Sequence, residues 1–91
     1  MLFTREIELI NKYGMHVRPA GAMAKLCQSF DSEITVEKEG RAVSGKSVLG
    51  LMTLEAPCGT VLKITAEGED AEEALDAIAE LINNRFGIVD E

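Results

Sequence analysis

The sequence predicts a two-layer α+β domain in the order β-α-β-β-α-β-α. Three observations carry that prediction. Three segments alternate apolar and polar residues, as half-buried strands do, and a Glu-Gly turn folds a short fourth segment back on one of them. Two further segments repeat their apolar residues at helical spacing. The chain has 91 residues, 46% hydrophobic and 27% charged. That is enough for one core and too little for two, so residues 1–91 are read as a single domain.

Each element has its own signal. Residues 2–10 place Phe3, Ile7 and Leu9 on one side and Thr4, Glu6 and Glu8 on the other, a strand. Asn11 to Gly14 reads as a loop. From Ala20 the apolar positions are Ala20, Met23, Ala24 and Cys27, one face of a helix. Pro19 disfavours helical geometry at Arg18, so an irregular first turn is expected. Ile34 and Val36 alternate with Glu33, Thr35 and Glu37 in a second strand, Glu39-Gly40 turns the chain, and Arg41 to Val43 returns as a third. Ser47 can cap a short helix from Val48 to about Leu54. Leu62, Ile64 and Ala66 mark strand four. Asp70 and Glu73 resemble a capping box ahead of a helix carrying Ala71, Ala74, Leu75, Ile78 and Ile82. Asn83 to Glu91 has no clear pattern. The two long helices are expected to cover one face of the sheet.

Composition excludes several classes of function. Sixteen acids against nine bases give a formal charge of -7, which suits neither nucleic acid nor an anionic membrane. One Tyr, three Phe and no Trp leave little for base stacking. Cys27 and Cys58 form no C-x-x-C pair and find no second histidine for a zinc site, so no metal or other cofactor is expected. They are read as reduced, partly buried thiols of a cytoplasmic protein. The N-terminus has no apolar signal-peptide region, and no apolar run is long enough to span a membrane.

The charge is unevenly spread. Residues 67–91 hold nine acids and one base, whereas residues 11–30 hold Lys12, Arg18 and Lys25 with no acid and include the only histidine, His16. A basic island on an acidic chain points to a local anionic ligand or partner. In Gly14-Met15-His16-Val17-Arg18-Pro19-Ala20 a strand has ended, a glycine turns the chain and a helix begins. His16 therefore falls near the N-cap, where amide N–H groups and the positive helix pole favour a phosphate. A neutral imidazole placed there is a nucleophile toward phosphorus. A phosphoryl group on that ring would meet the helix amides and Arg18. No P-loop and no metal-binding carboxylate pair is present to activate a nucleotide. A lone histidine here could equally be a plain cap.

The short helix adds a second feature. Five apolar residues fill its two turns, more than one sheet can bury. Val48, Leu49 and Met52 are expected at the surface as a docking patch for partners.

Asn11-Lys12-Tyr13-Gly14-Met15-His16-Val17-Arg18-Pro19-Ala20 resembles the active-site signature of the HPr family, the histidine-containing phosphocarrier proteins of the phosphotransferase system. Gly45-Lys46-Ser47-Val48-Leu49-Gly50-Leu51-Met52-Thr53-Leu54 resembles that family's second signature. Gly59 and the run Ala66 to Asp70 also fit.

The resemblance implies an open-faced β-sandwich, four antiparallel strands covered on one face by three helices. It implies phosphorylation of His16 on Nδ1 by phosphorylated enzyme I, charged from phosphoenolpyruvate, and transfer to a IIA-type acceptor, with Arg18 as the active-site arginine. Ser47 matches a serine that a dedicated kinase phosphorylates in some bacteria. Lys25 is expected to act at encounter with acidic partners, and the protein to work as a monomer. The family has a sugar-uptake arm, which the Lys46-Ser47 signature resembles, and a nitrogen-related arm, closer to the tail Leu81 to Gly87. Two other readings of the residues stand beside this one: a small regulatory protein-binding module of the same fold, and a ferredoxin-like small-molecule-binding domain.

Overall fold

Alternation of side chains decides the sheet. A computed structural model describes residues 1–88. It contains strand β1 (Leu2–Glu8), helix α1 (Val17–Gln28), β2 (Glu33–Lys38), β3 (Arg41–Ser44), α2 (Val48–Met52), β4 (Val61–Glu67), α3 (Ala71–Asn83) and a final 3-10 turn, Arg85–Gly87. The strands lie in the order β1-β4-β2-β3, and every neighbouring pair is antiparallel. Glu39 and Gly40 both adopt positive φ, 50° and 85°, the backbone of a type I′ hairpin turn. Lys38 pairs with Arg41 across it.

The register puts Ile7, Ile34, Val36, Leu62, Ile64 and Ala66 on one buried face. The opposite face is open, and a row of hydroxyl residues, Thr4, Thr65, Thr35 and Ser44, crosses it from edge to edge. α1 buries Ala20, Met23, Ala24 and Cys27, and α3 buries Ala71, Ala74, Leu75, Ile78 and Ile82. Burial at helical spacing explains why both form long helices despite the weak helix former Gly21. A side-chain carbon at Gly21 would meet open space, and nothing in the structure explains that glycine. No helix among the described residues is long and apolar enough to cross a membrane.

Four local expectations change. α2 ends at Met52 rather than Leu54, because the chain tightens there: Leu54 N–H donates to the Leu51 carbonyl and Glu55 N–H to that of Met52. β3 runs one residue further than expected, to Ser44. Asp70 does not form a capping box. Its side chain caps nothing in α3 and instead accepts from the Asp31 and Ser32 amides at 2.8 and 2.9 Å and from the Ser32 hydroxyl. The carboxylate thus ties the turn after α1 to the start of α3. Finally, the patternless tail enters the core. Arg85 and Phe86 take positive φ, 51° and 58°, and the turn buries Phe86. Burying such a ring is worth roughly 1.5–3 kcal/mol. The last three positions, 89–91, lie outside the described residues.

The Ser32 hydroxyl and the Asp31 amide hold the Asp70 carboxyl below its ordinary value of 3.8. A lowered value means that the folded state favours the carboxylate. Its contribution is complete above about pH 4, where the unfolded chain is also ionised, and is lost as pH falls through the lowered folded value. Asp70→Ala should melt at a lower temperature than the wild type at neutral pH. The gap in Tm, followed by circular dichroism, should close on acidification below about pH 4.

Candidate functional site

The segment before α1 is fastened to the loop before β4. Leu9 N–H donates to the Thr60 carbonyl, and Gly59 N–H to that of Leu9, both at 2.8 Å. Asn11 is fully buried. Its side-chain amide donates to the Gly14 carbonyl at 2.8 Å while Gly14 N–H returns to the Asn11 carbonyl at 3.2 Å, which closes the loop on itself.

Gly14 has φ +66°, and a side-chain carbon there would stand 2.2 Å from the Ala56 carbonyl oxygen. Only glycine fits both the conformation and the space. The next amide, of Met15, donates to that same oxygen at 2.8 Å, and the Met15 side chain is buried. One residue is thus anchored in the core and the following one, His16, is left half-buried at the surface.

His16 is the N-cap of α1. Its backbone is extended, φ -105° and ψ -166°, and its side chain makes no capping hydrogen bond to its own helix. That observation weighs against the plain-cap reading. The His16 carbonyl accepts from Ala20 N–H at 2.9 Å, so the first turn is regular after all, with Val17 and Arg18 inside the helix. Pro19 is tolerated because the amide it lacks would have no partner in the first turn. No acidic residue stands in that turn to neutralise the helix pole. Arg18 is exposed in it.

α2 supplies the rest of the surface. The Ser47 hydroxyl accepts from Gly50 N–H at 2.9 Å, the predicted N-cap. Leu51 is buried, whereas Val48, Leu49 and Met52 are 38%, 76% and 38% exposed, at the surface as expected. α1 and α2 pack together with opposed directions. At one end Gln28 donates to the Lys46 carbonyl at 2.9 Å and the Lys46 ammonium to the Phe30 carbonyl at 2.8 Å. At the other, Met15 meets Ala56. His16 and Ser47 therefore mark opposite ends of the helix pair. Lys25 stands in the last turn of α1, about 13 Å along the axis from His16, on the Ser47 side.

Sequence reasoning missed two supports. Asn11, read only as loop, is the buried hinge of the segment; an Asn three residues before a Gly is a turn signal that could have marked it. Lys38, at the end of β2, donates to the Leu54 and Glu55 carbonyls at 3.1 Å each. It thereby holds the end of α2 where Glu55 takes φ 50°, and no local pattern announces so distant a partner. Cys27 does not join the site as a nucleophile. Burial pushes the Cys27 thiol up to about 11, so it stays protonated near neutrality. Cys58, expected to be partly buried, is exposed in a loop.

The fold and the site are those of the class of small phosphocarrier domains, with one half-buried imidazole at a helix pole, an arginine in the same turn and exposed apolar side chains on α2. The family described as "PTS HPr component phosphorylation site" matches residues 3–84. The chain is 41% identical over 86 residues to the phosphocarrier protein HPr of Neisseria meningitidis serogroup A, covering 94% of this chain and 97% of that one. It is 40% identical over 82 residues to the phosphocarrier protein NPr of Shewanella violacea, covering 90% of each. Its fold matches the crystal structure of HPr-C-His from Thermoanaerobacter tengcongensis with a TM-score of 0.91 at 42% identity, over 94% of this chain and 97% of that one. The chain belongs to the HPr family of the phosphotransferase system.

Gly14→Ala should test the seating of the loop. With the Ala56 oxygen in the way, the variant is expected to lose about 1–3 kcal/mol of stability, measured by urea unfolding.

Proposed function

We propose that this chain accepts a phosphoryl group on His16 from phosphorylated enzyme I and passes it to a IIA-type acceptor. The observation that carries this reading is the position of its one histidine, N-capping α1 without a capping bond from its side chain. In the step, the lone pair of a ring nitrogen, Nδ1 by resemblance, forms the N–P bond. The N–P bond on enzyme I breaks, and its electron pair returns to the donor nitrogen. The three phosphoryl oxygens then face the opening amides of α1 and the Arg18 guanidinium. The sequence contains no P-loop, and donor and acceptor proteins are met through Val48, Leu49 and Met52. Lys25, at the far end of α1, acts on encounter with acidic partners rather than on the phosphoryl group. The chain works as a monomer in sugar uptake or nitrogen-related regulation.

Incubation with phosphoenolpyruvate and enzyme I should add one phosphate, acid-labile and base-stable, to the wild type and none to His16→Ala. Labelling that survives in the alanine variant overturns the mechanism. Arg18→Ala should keep its melting temperature and slow transfer roughly tenfold or more, the value of a charge-assisted contact of about 1.5–3 kcal/mol.

Ser47 is proposed as a site for a regulatory kinase. A phosphate there adds about -1.5 to -2 charges at pH 7 beside the apolar patch. It weakens docking by repulsion and desolvation, without refolding. Aspartate is also a good N-cap, whereas alanine loses about 1 kcal/mol. Ser47→Asp should therefore keep its Tm and transfer more slowly from enzyme I, while Ser47→Ala should lose stability and transfer normally. Normal transfer by the aspartate variant counts against regulation at this position.

A further inference from the structure

The loop that carries His16 also brings an aromatic ring against it. The left-handed turn at Gly14 doubles the chain back, so that residues 13 and 16 meet. The rings of Tyr13 and His16 stand nearly perpendicular, with planes at 87° and centroids 5.9 Å apart. The Lys12 ammonium lies over the Tyr13 ring, 5.2 Å from its centroid, within the range of a cation–π contact. Tyr13 is 58% exposed, so the core does not hold this ring in place. The Lys12 ammonium and the His16 imidazole stand against it.

The His16 backbone is fixed on both sides. Its N–H bonds the Gly14 carbonyl at 3.1 Å, and its own carbonyl accepts from Ala20. The imidazole turns about its outer torsion, which is broad for a ring of this kind, and the Tyr13 ring lies within contact of that turn. Transfer needs one ring nitrogen aligned with phosphorus, and misorientation of a reacting atom is costly in rate.

We propose that Tyr13 is a positioning residue for phosphoryl transfer, its ring restricting rotation of the His16 imidazole so that the attacking nitrogen stays turned outward to the donor. This rests on the phosphocarrier reading of His16. Lys12 holds the Tyr13 ring from its other contact, so the pair acts through the imidazole and not on the phosphoryl group.

The test uses phosphoramidate, a small donor that makes no protein contacts, beside phosphorylated enzyme I. With phosphoramidate, a His16 ring nitrogen forms the N–P bond as the donor's P–N bond breaks. Ammonia leaves with the bonding pair and takes up the proton that the ring releases. Tyr13→Leu should react roughly fivefold more slowly with phosphoramidate, the factor expected for loss of one perpendicular aromatic pair. Tyr13→Phe, which keeps the ring, should stay within about twofold of wild type. The His16 ring proton resonances should move in the leucine variant and not in the phenylalanine one, and both variants should melt with the wild type. A leucine variant that reacts at the wild-type rate with phosphoramidate overturns the proposal, as does a change confined to the KM for enzyme I, which would make Tyr13 a docking contact. A wild-type chain that neither donor labels removes the phosphocarrier reading itself, and with it this role.

Discussion

Two backbone segments, 14–15 and 56–57, touch so closely that a side-chain carbon at Gly14 would stand 2.2 Å from the Ala56 oxygen, and the layout of the site follows from that contact. It fixes the direction in which the chain enters α1, which places Met15 inside and His16 at the helix pole. It also fixes where α2 must end, because Ala56 lies only four residues beyond Met52. His16 and α2 are thus set relative to one another by main-chain atoms. The exposed side chains of α2 can then vary without moving the imidazole.

α2 is held in an unusual way for a helix. Only Leu51 of its five residues is buried, so packing alone would leave it marginal. Polar contacts at its ends compensate: the Ser47 cap at one, the Lys38 ammonium on the Leu54 and Glu55 carbonyls at the other. The arrangement leaves three apolar side chains exposed while keeping their backbone in place. An aliphatic surface on a rigid support suits a protein that must bind and leave several partners in turn, since little ordering is needed at each encounter.

Where a physical signal is local, the sequence shows it. Strand alternation, the Glu39-Gly40 turn, the apolar faces of α1 and α3 and the Ser47 cap each lie within a few residues. His16 was legible because glycine, histidine, arginine and proline together describe a helix start with a nucleophile on it. Asp70 misled, because its local pattern was that of a cap while its partners, Asp31 and Ser32, stand on another loop. Phe86 was hidden in a segment without period, and its burial depends on two left-handed residues that no propensity favours. The Lys38 contact with α2 and the closeness of Gly14 to Ala56 join segments far apart in sequence. Periodicity carries no trace of them.

The strand order has a consequence for how the chain comes to be folded at all. β4, the last strand in sequence, is central, and β1 bonds to no other strand. Until residues 61–67 are available, the sheet can offer only the β2–β3 hairpin, which is marginal by itself. On a ribosome, the first 60 residues must therefore wait with their apolar faces unpaired, and the sheet closes in one late event that joins residues 2–8 to residues 61–67. Such long-range closure favours slow, all-or-none folding. It also makes the nascent chain, rather than the finished protein, the form most exposed to aggregation and proteolysis.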